Sequence, residues 1–318
     1  MYRALLVGID EYPDDPLSGC VRDANRMHEV LARNEDGSPN FECRLLTVPA
    51  DEITKPILRE EIRGLFANAA DAALFYFAGH GSANDLGGFL VTPDTDDPED
   101  GLPMGTLFEL ARQAANVREV IIILDCCASG AIGDDPLRVG RNAEATLREG
   151  LSILTASRST ETAAETDEGG IFTALIVAAL SGGAADVLGL VTVPSVYAYV
   201  DRAMGAWDQR PLMKSHVTHL LPLRRCVPSV TRAELSRLPE FFDTSNAEYP
   251  LDPSYEPDAE PHDADHEQIF RILQKYRDAN LLVPVGADHL YYAAINSTAC
   301  RLTPSGRFYW QLVSQGRL

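Results

Sequence analysis

Two short stretches of the chain carry residue types that could do covalent chemistry. Val120 to Leu124 is a continuous apolar, β-branched run that breaks into Asp125-Cys126-Cys127-Ala128-Ser129-Gly130. Earlier, Ala72 to Ala78 is apolar and breaks into Gly79-His80-Gly81, so that Cys127 follows His80 by 47 positions. A thiol attacks a carbonyl only as its thiolate and therefore needs a base or a cation beside it. Apolar runs of this length, bounded by Gly and small polar residues, read as buried strands of a parallel sheet, and open α/β sheets place their chemistry at the carboxyl ends of such strands. If the two strands are neighbours, His80 and Cys127 become a base and a nucleophile. Glycine on both sides of His80 would let backbone approach a substrate closely, and the amides of Gly81 and Cys127 could hold an oxyanion. The plainer alternative is a loop histidine and a buried core thiol.

The elements that must position this pair can be read in order. A first strand runs from Arg3 to Ile9, and a loop rich in Pro and Asp follows through Pro16. A helix then buries Ala24, Met27, Val30 and Leu31, and Phe41 to Val48 forms a second strand. Thr54 caps a helix with Ile57, Leu58, Ile62, Leu65 and Phe66 on its apolar positions, Pro56 being tolerated in the first turn. After the strand that ends near His80 come a loop at 82–88, a short strand at 89–92 and an acidic loop at 94–101. A helix marked by Leu107, Leu110, Ala111 and Ala114 leads into the cysteine strand. Residues 131–150 read as an exposed loop, 151–157 as a fifth strand and 171–180 as a buried helix. Another helix opens at Thr192, and a last strand covers roughly 215–223. Six strands alternating with helices argue a doubly wound, mostly parallel sheet covered on both faces.

The 318 residues carry a formal net charge of −20, which argues against nucleic acid or an anionic membrane as a partner and favours basic ligands. With no apolar run of about 20 residues and no signal-peptide pattern at Met1 to Asp10, a cytoplasmic protein is expected, its six cysteines reduced. Composition changes after Pro239: from Leu238 to Phe270 there are ten acidic residues and no Lys or Arg, with four prolines between Pro250 and Pro261. Three regions follow: a catalytic domain over 1–228, an acidic Pro-rich linker or strap over 229–268, and a small C-terminal helical or winged-helix-like module over 269–318. The pairs His216/His219 and His262/His266 read as structural rather than as metal ligands.

Gly-His-Gly at one strand end and Asp-Cys-Cys-Ala-Ser-Gly at the next but one resemble the caspase-like cysteine peptidases, most closely the metacaspase and prokaryotic caspase branch. The likeness runs from Gly8-Ile9-Asp10 and Tyr12 through Leu17-Ser18-Gly19-Cys20-Val21-Arg22-Asp23-Ala24 to Thr155-Ala156-Ser157-Arg158 and Gly170-Ile171-Phe172-Thr173, about residues 1–225. It implies a caspase-like fold and an endopeptidase with Cys127 as nucleophile and His80 as its partner. Asp23 and Asp125 match the carboxylates that hold a basic residue before the scissile bond, with Cys20 lining the same pocket. A desolvated carboxylate pair would hold an Arg guanidinium by bidentate, charge-assisted hydrogen bonds. Where the family often has Ser before Gly-His-Gly, this chain has Ala78. No cofactor is expected. Calcium, which many metacaspases need, has its only counterpart in the acidic loop 94–100, which reads better as a solvated turn. Self-cleavage would fall at Arg138, Arg141 or Arg148. The expected partners are protein substrates with basic residues and a regulatory protein recruited by the C-terminal module. The family association suggests a bacterial stress, defence or cell-death pathway. The rival reading is an inactive caspase-fold scaffold.

Overall fold

A computed structural model of the chain describes residues 1–47, 52–84, 87–126, 148–156, 165–166, 169–205, 210–261 and 263–318. Two compact units are present: Met1–Ala185 with Leu190–Cys226, and Asp186–Gly189 with Val227–Leu318.

The first unit is built on six strands: β1 (Tyr2–Gly8), β2 (Phe41–Leu46), β3 (Ala70–Ala78), β4 (Val117–Asp125), β5 (Leu151–Thr155) and β6 (Leu212–His216). Their order is β6-β5-β4-β3-β1-β2, and every pairing is parallel except the antiparallel β6–β5 edge. β3 and β4 are buried almost end to end because both faces of a parallel sheet are covered. Alternate side chains feed separate cores. Phe75, Phe77, Ile122 and Leu124 pack under helices α2 (Lys55–Ala67) and α3 (Met104–Gln113). Leu74, Tyr76, Ile121 and Ile123 pack under α1 (Cys20–Ala32), α4 (Ile171–Ala178) and α5 (Val193–Met204). Each such fully buried side chain contributes about 1.5–3 kcal/mol relative to exposure.

Two local features bring helices to the site. A side chain at Gly8 would lie 2.3 Å from the Cys20 carbonyl, so its absence lets the amino terminus of α1 rest against the end of β1. The α1 first turn has no cap of its own; the Asp10 carboxylate from the β1 exit accepts the Cys20 N–H at 2.7 Å and the Val21 N–H at 3.4 Å. At α2, Thr54 stands at the cap position without a side-chain cap bond, and the Lys55 N–H donates instead to the Asp94 carboxylate at 3.1 Å.

Several boundaries differ from the sequence expectation. Gly81–Asn84 and Gly87–Leu90, expected mainly as loop, form a hairpin extended by Leu102–Pro103. The sixth strand lies at Leu212–His216 rather than 215–223, and it is only partly buried because it is the sheet edge.

In the second unit the acidic stretch at 229–268 is not a linker or strap but part of the fold. Val230, Leu235, Leu238, Phe242, Leu251 and Tyr255 share one core with Phe270, Leu273 and Tyr276. Its acidic side chains act as caps: Glu234 completes a capping box with Thr231, Asp252 caps a short 3-10 turn, and Asp263 caps α6 (Ala264–Asp278). A three-stranded antiparallel sheet, absent from the helical module expected over 269–318, is formed by β7 (Glu248–Pro250), β8 (Leu282–Val285) and β9 (Ala299–Leu302), with β9 in the middle. Pro250 and Pro284 lie on the two outer strands, where a missing N–H breaks no ladder. No helix among the described residues is long and apolar enough to cross a membrane.

Candidate active site

β1, β3 and β4 end together, with Gly8 paired to Ala78 and Ala78 to Asp125. β1 lies between β2 and β3, so the sheet reverses its order there, and in open α/β sheets ligands bind beyond the carboxyl ends of the strands at such a point. The loop leaving β1 meets His80 at that edge.

His80 is fixed on several sides. Its N–H donates to the Tyr12 hydroxyl at 2.9 Å, its carbonyl accepts the Val91 N–H at 3.0 Å, and its ring lies tilted over Tyr12 with centroids 4.5 Å apart. Gly79 makes the contact possible, since a Cβ there would sit 2.5 Å from the Tyr12 hydroxyl. His80 Nε2 lies 2.6 Å from the carbonyl oxygen of Asp15. A carbonyl only accepts, so Nε2 carries the proton and Nδ1 is left as the basic nitrogen. The Asp15 carboxylate stands further off, at 3.6 Å from Nε2. Burial pushes the Tyr12 hydroxyl far above its ordinary pKa, so it remains a neutral donor to the Val91 carbonyl.

A pair of carboxylates converges on the other face, where α1 and α4 cover the sheet. Asp23 is 2% exposed, and its Oδ2 accepts the Gly170 N–H at 2.8 Å. Among the described residues its Oδ1 is buried without a hydrogen-bond partner, and Arg26 Nη1 stands 3.9 Å from it. Asp125, at the end of β4, accepts from the Thr173 hydroxyl at 2.6 Å. A Cβ at Gly170 would be 2.8 Å from Asp125 Oδ2 and 3.1 Å from Asp23 Oδ2, so the two oxygens are no further apart than the sum of those distances. Gly169, in the left-handed region at φ 118°, has no room for a side chain either: its Cβ would meet Asp23 Oδ1 at 2.5 Å. Burial, with the Asp125 charge adding to it, raises the Asp23 pKa to about 6 against the lowering effect of the Gly170 N–H. A buried carboxylate oxygen without a donor, beside a second carboxylate, is complementary to a cation that brings N–H groups.

The remaining expected residues fall as follows. Cys20 is buried at the first residue of α1 and packs among the side chains under that helix. Gly81 opens the hairpin strand opposite Leu90. Cys127, Arg138 and Arg141 lie outside the described residues. Arg148 does not have the exposed-loop setting expected of a cleavage point: its guanidinium donates to the carbonyls of Ala114, Val117 and Arg118 at the start of β4. In the acidic loop, Asp97 caps a short turn and Glu99 accepts from Asn84. Among the described residues no group of three or more His, Cys, Asp or Glu is placed to hold a metal ion. Sequence reasoning did not single out Tyr12 as a support for His80, the Asp15 carbonyl, Thr173 as a partner of Asp125, or the Gly169–Gly170 cradle.

Comparison with known proteins agrees with this architecture. The family model described as the caspase domain matches residues 1–222. Metacaspase-7 of Arabidopsis thaliana is 27% identical over 153 residues, covering 42% of this chain and 36% of that protein, so the match spans about a third of the relative's length. Among solved structures, caspase-1 from Spodoptera frugiperda superposes with a TM-score of 0.50 at 15% identity, over 71% of this chain and 90% of that one. Protein GSU0716 from Geobacter sulfurreducens gives a TM-score of 0.50 at 17% identity, over 69% and 95%. At these identities the two structures speak for the fold, and the match over residues 1–222 speaks for descent. The chain belongs to the caspase-domain family of cysteine peptidases.

Proposed function

We propose that the first unit is an endopeptidase that cleaves after Arg or Lys. The observation that carries this reading is the buried Asp23 carboxylate, whose Oδ1 has no donor among the described residues and whose Oδ2 lies close to Asp125 at the carboxyl edge of the sheet. A guanidinium or ammonium group would supply the missing N–H and offset the charge of both carboxylates. The family likeness assigns Cys20, the buried first residue of α1, to the same pocket.

In the reaction, Cys127 Sγ bonds to the peptide carbonyl carbon while its proton passes to His80 Nδ1. The Nε2–H stays on the Asp15 carbonyl and steadies the imidazolium. The amides of Gly81 and Cys127 take the oxyanion, His80 returns the proton to the leaving amine, and water then hydrolyses the thioester. Support for the pairing comes from the strand register: Ala70 faces Val117 and Ala78 faces Asp125, and His80 and Cys127 each stand two residues beyond the last pair. Arg138 and Arg141 are the proposed self-cleavage points, Arg148 being engaged by backbone. On the family likeness alone, the setting is a bacterial stress, defence or cell-death response, with the second unit recruiting a partner.

Fluorogenic peptides ending in Arg, Lys or Asp, with and without calcium, test this. Arg and Lys cleavage by the wild type that disappears in Cys127→Ala is expected. Asp cleavage, or activity that survives the substitution, would overturn it.

A further inference from the structure

Tyr76 poses a question that packing alone does not answer. It lies in the middle of β3, 0% exposed, with apolar Leu74 and Ala78 beside it on the same face of the sheet. A phenylalanine would fill the same volume without burying a hydroxyl, which costs about 1–3 kcal/mol when unpaired. The Tyr76 hydroxyl is 2.7 Å from Thr173 Oγ1, and Thr173 donates its single proton to Asp125 Oδ2 at 2.6 Å. Because the carboxylate only accepts, the direction of the chain is set: Tyr76 donates to Thr173, and Thr173 donates to Asp125. Thr173 is itself 0% exposed, in the first turn of α4.

The same helix start grips both acids of the pocket. Gly170 N–H holds Asp23 Oδ2, and the Thr173 hydroxyl holds Asp125 Oδ2. Two carboxylates this close repel, and the one without a strong donor would turn away or take up a proton. A hydroxyl already polarised by a buried tyrosine is a stronger donor than a free one, so the chain favours an ionised, fixed Asp125.

We propose that Thr173, aligned by the Tyr76 hydroxyl, is the positioning residue that keeps Asp125 charged and oriented toward the incoming basic side chain. The proposal rests on the reading of Asp23 and Asp125 as a pocket for Arg or Lys.

The test measures equilibrium binding of two labelled peptides, one ending in Arg and one in its neutral isostere citrulline, to the full chain carrying Cys127→Ala. Turnover then plays no part. Thr173→Val should weaken Arg-peptide binding about tenfold and leave citrulline-peptide binding unchanged, and Thr173→Ser should restore the Arg affinity. Tyr76→Phe, which keeps the core volume, should weaken Arg binding about threefold in the same charge-specific way, and it decides the matter if Thr173→Val does not fold. Equal weakening for both peptides, or no change for either, would overturn the positioning role. Failure of the underlying reading looks different: the unsubstituted pocket would not distinguish Arg from citrulline, or Asp125→Asn would leave Arg binding intact.

Discussion

Replacing Asp23 with Asn should make the protein more stable at pH 8 and much less able to cleave after arginine. Burial and the nearby Asp125 raise the Asp23 pKa from 3.8 to about 6. Between those values the folded chain holds a proton that the unfolded chain has released, so the free energy of unfolding falls as pH rises through that window. The penalty is complete above about pH 7. About two pH units at roughly 1.4 kcal/mol each amount to about 3 kcal/mol. Solvent screening reduces this little, because the carboxylate is almost wholly enclosed. An asparagine can still accept the Gly170 N–H through its oxygen, so the substitution removes the charge and keeps that bond. The expected gain is about 2–3 kcal/mol at pH 8, shrinking to nearly nothing below about pH 4, while kcat/KM for Arg peptides falls by roughly two orders of magnitude. Urea titrations at the two pH values, read by hydrogen exchange at the β3 and β4 amides, report the first unit apart from the second. A loss of stability of equal size at both pH values would refute the reasoning, because the carboxylate would then be held by its contacts rather than penalised for its charge.

Two further outcomes follow from the same geometry. Gly170→Ala places a methyl group between the carboxylates, 2.8 Å from Asp125 Oδ2 and 3.1 Å from Asp23 Oδ2, at a backbone conformation that alanine adopts without strain. It should lower kcat/KM for Arg peptides at least tenfold while lowering stability by only about 1–3 kcal/mol, checked by steady-state kinetics alongside thermal unfolding. Tyr12→Phe removes the hydroxyl that accepts the His80 N–H and donates to the Val91 carbonyl. It should cost about 1–2 kcal/mol and reduce kcat without altering the ratio of Arg to Lys cleavage; a changed ratio would contradict the separation of the His80 supports from the acidic pocket.

The central sheet was legible because buried parallel strands must be apolar throughout, and the β-branched residues of a short run such as Val120 to Leu124 favour a strand over a buried helix. The first strand of the hairpin after His80 was not, since Gly81-Ser82-Ala83-Asn84 lacks the alternation that marks a half-buried strand, and of the second only Phe89-Leu90 fell within the short strand expected at 89–92. The acidic stretch before α6 read as linker because Pro and Asp suit loops. Here Asp252 caps a short 3-10 turn and Asp263 caps α6, local roles that the same residue types also fill in loops, while Pro250 sits on an outer strand whose partner Ala299 is distant in the chain. In the site, His80 and Asp125 were visible as polar residues ending apolar strands. The Asp15 carbonyl has no residue-type signature, because any residue would offer it. Thr173 was visible only as part of a motif, and its bond to Asp125 needed the approach of α4 to the end of β4.

The central claim is that Cys127 is a nucleophile served by His80 and addressed by a basic side chain. An Arg-ended peptide carrying a thiol-reactive ketone, followed by peptide mapping, tests it most directly. One equivalent of label on Cys127, absent from the buried Cys126 and Cys20, lost in His80→Ala and absent with the Asp-ended analogue, is the expected result. Labelling that spreads over several cysteines, or that ignores the residue at the end of the peptide, would contradict it.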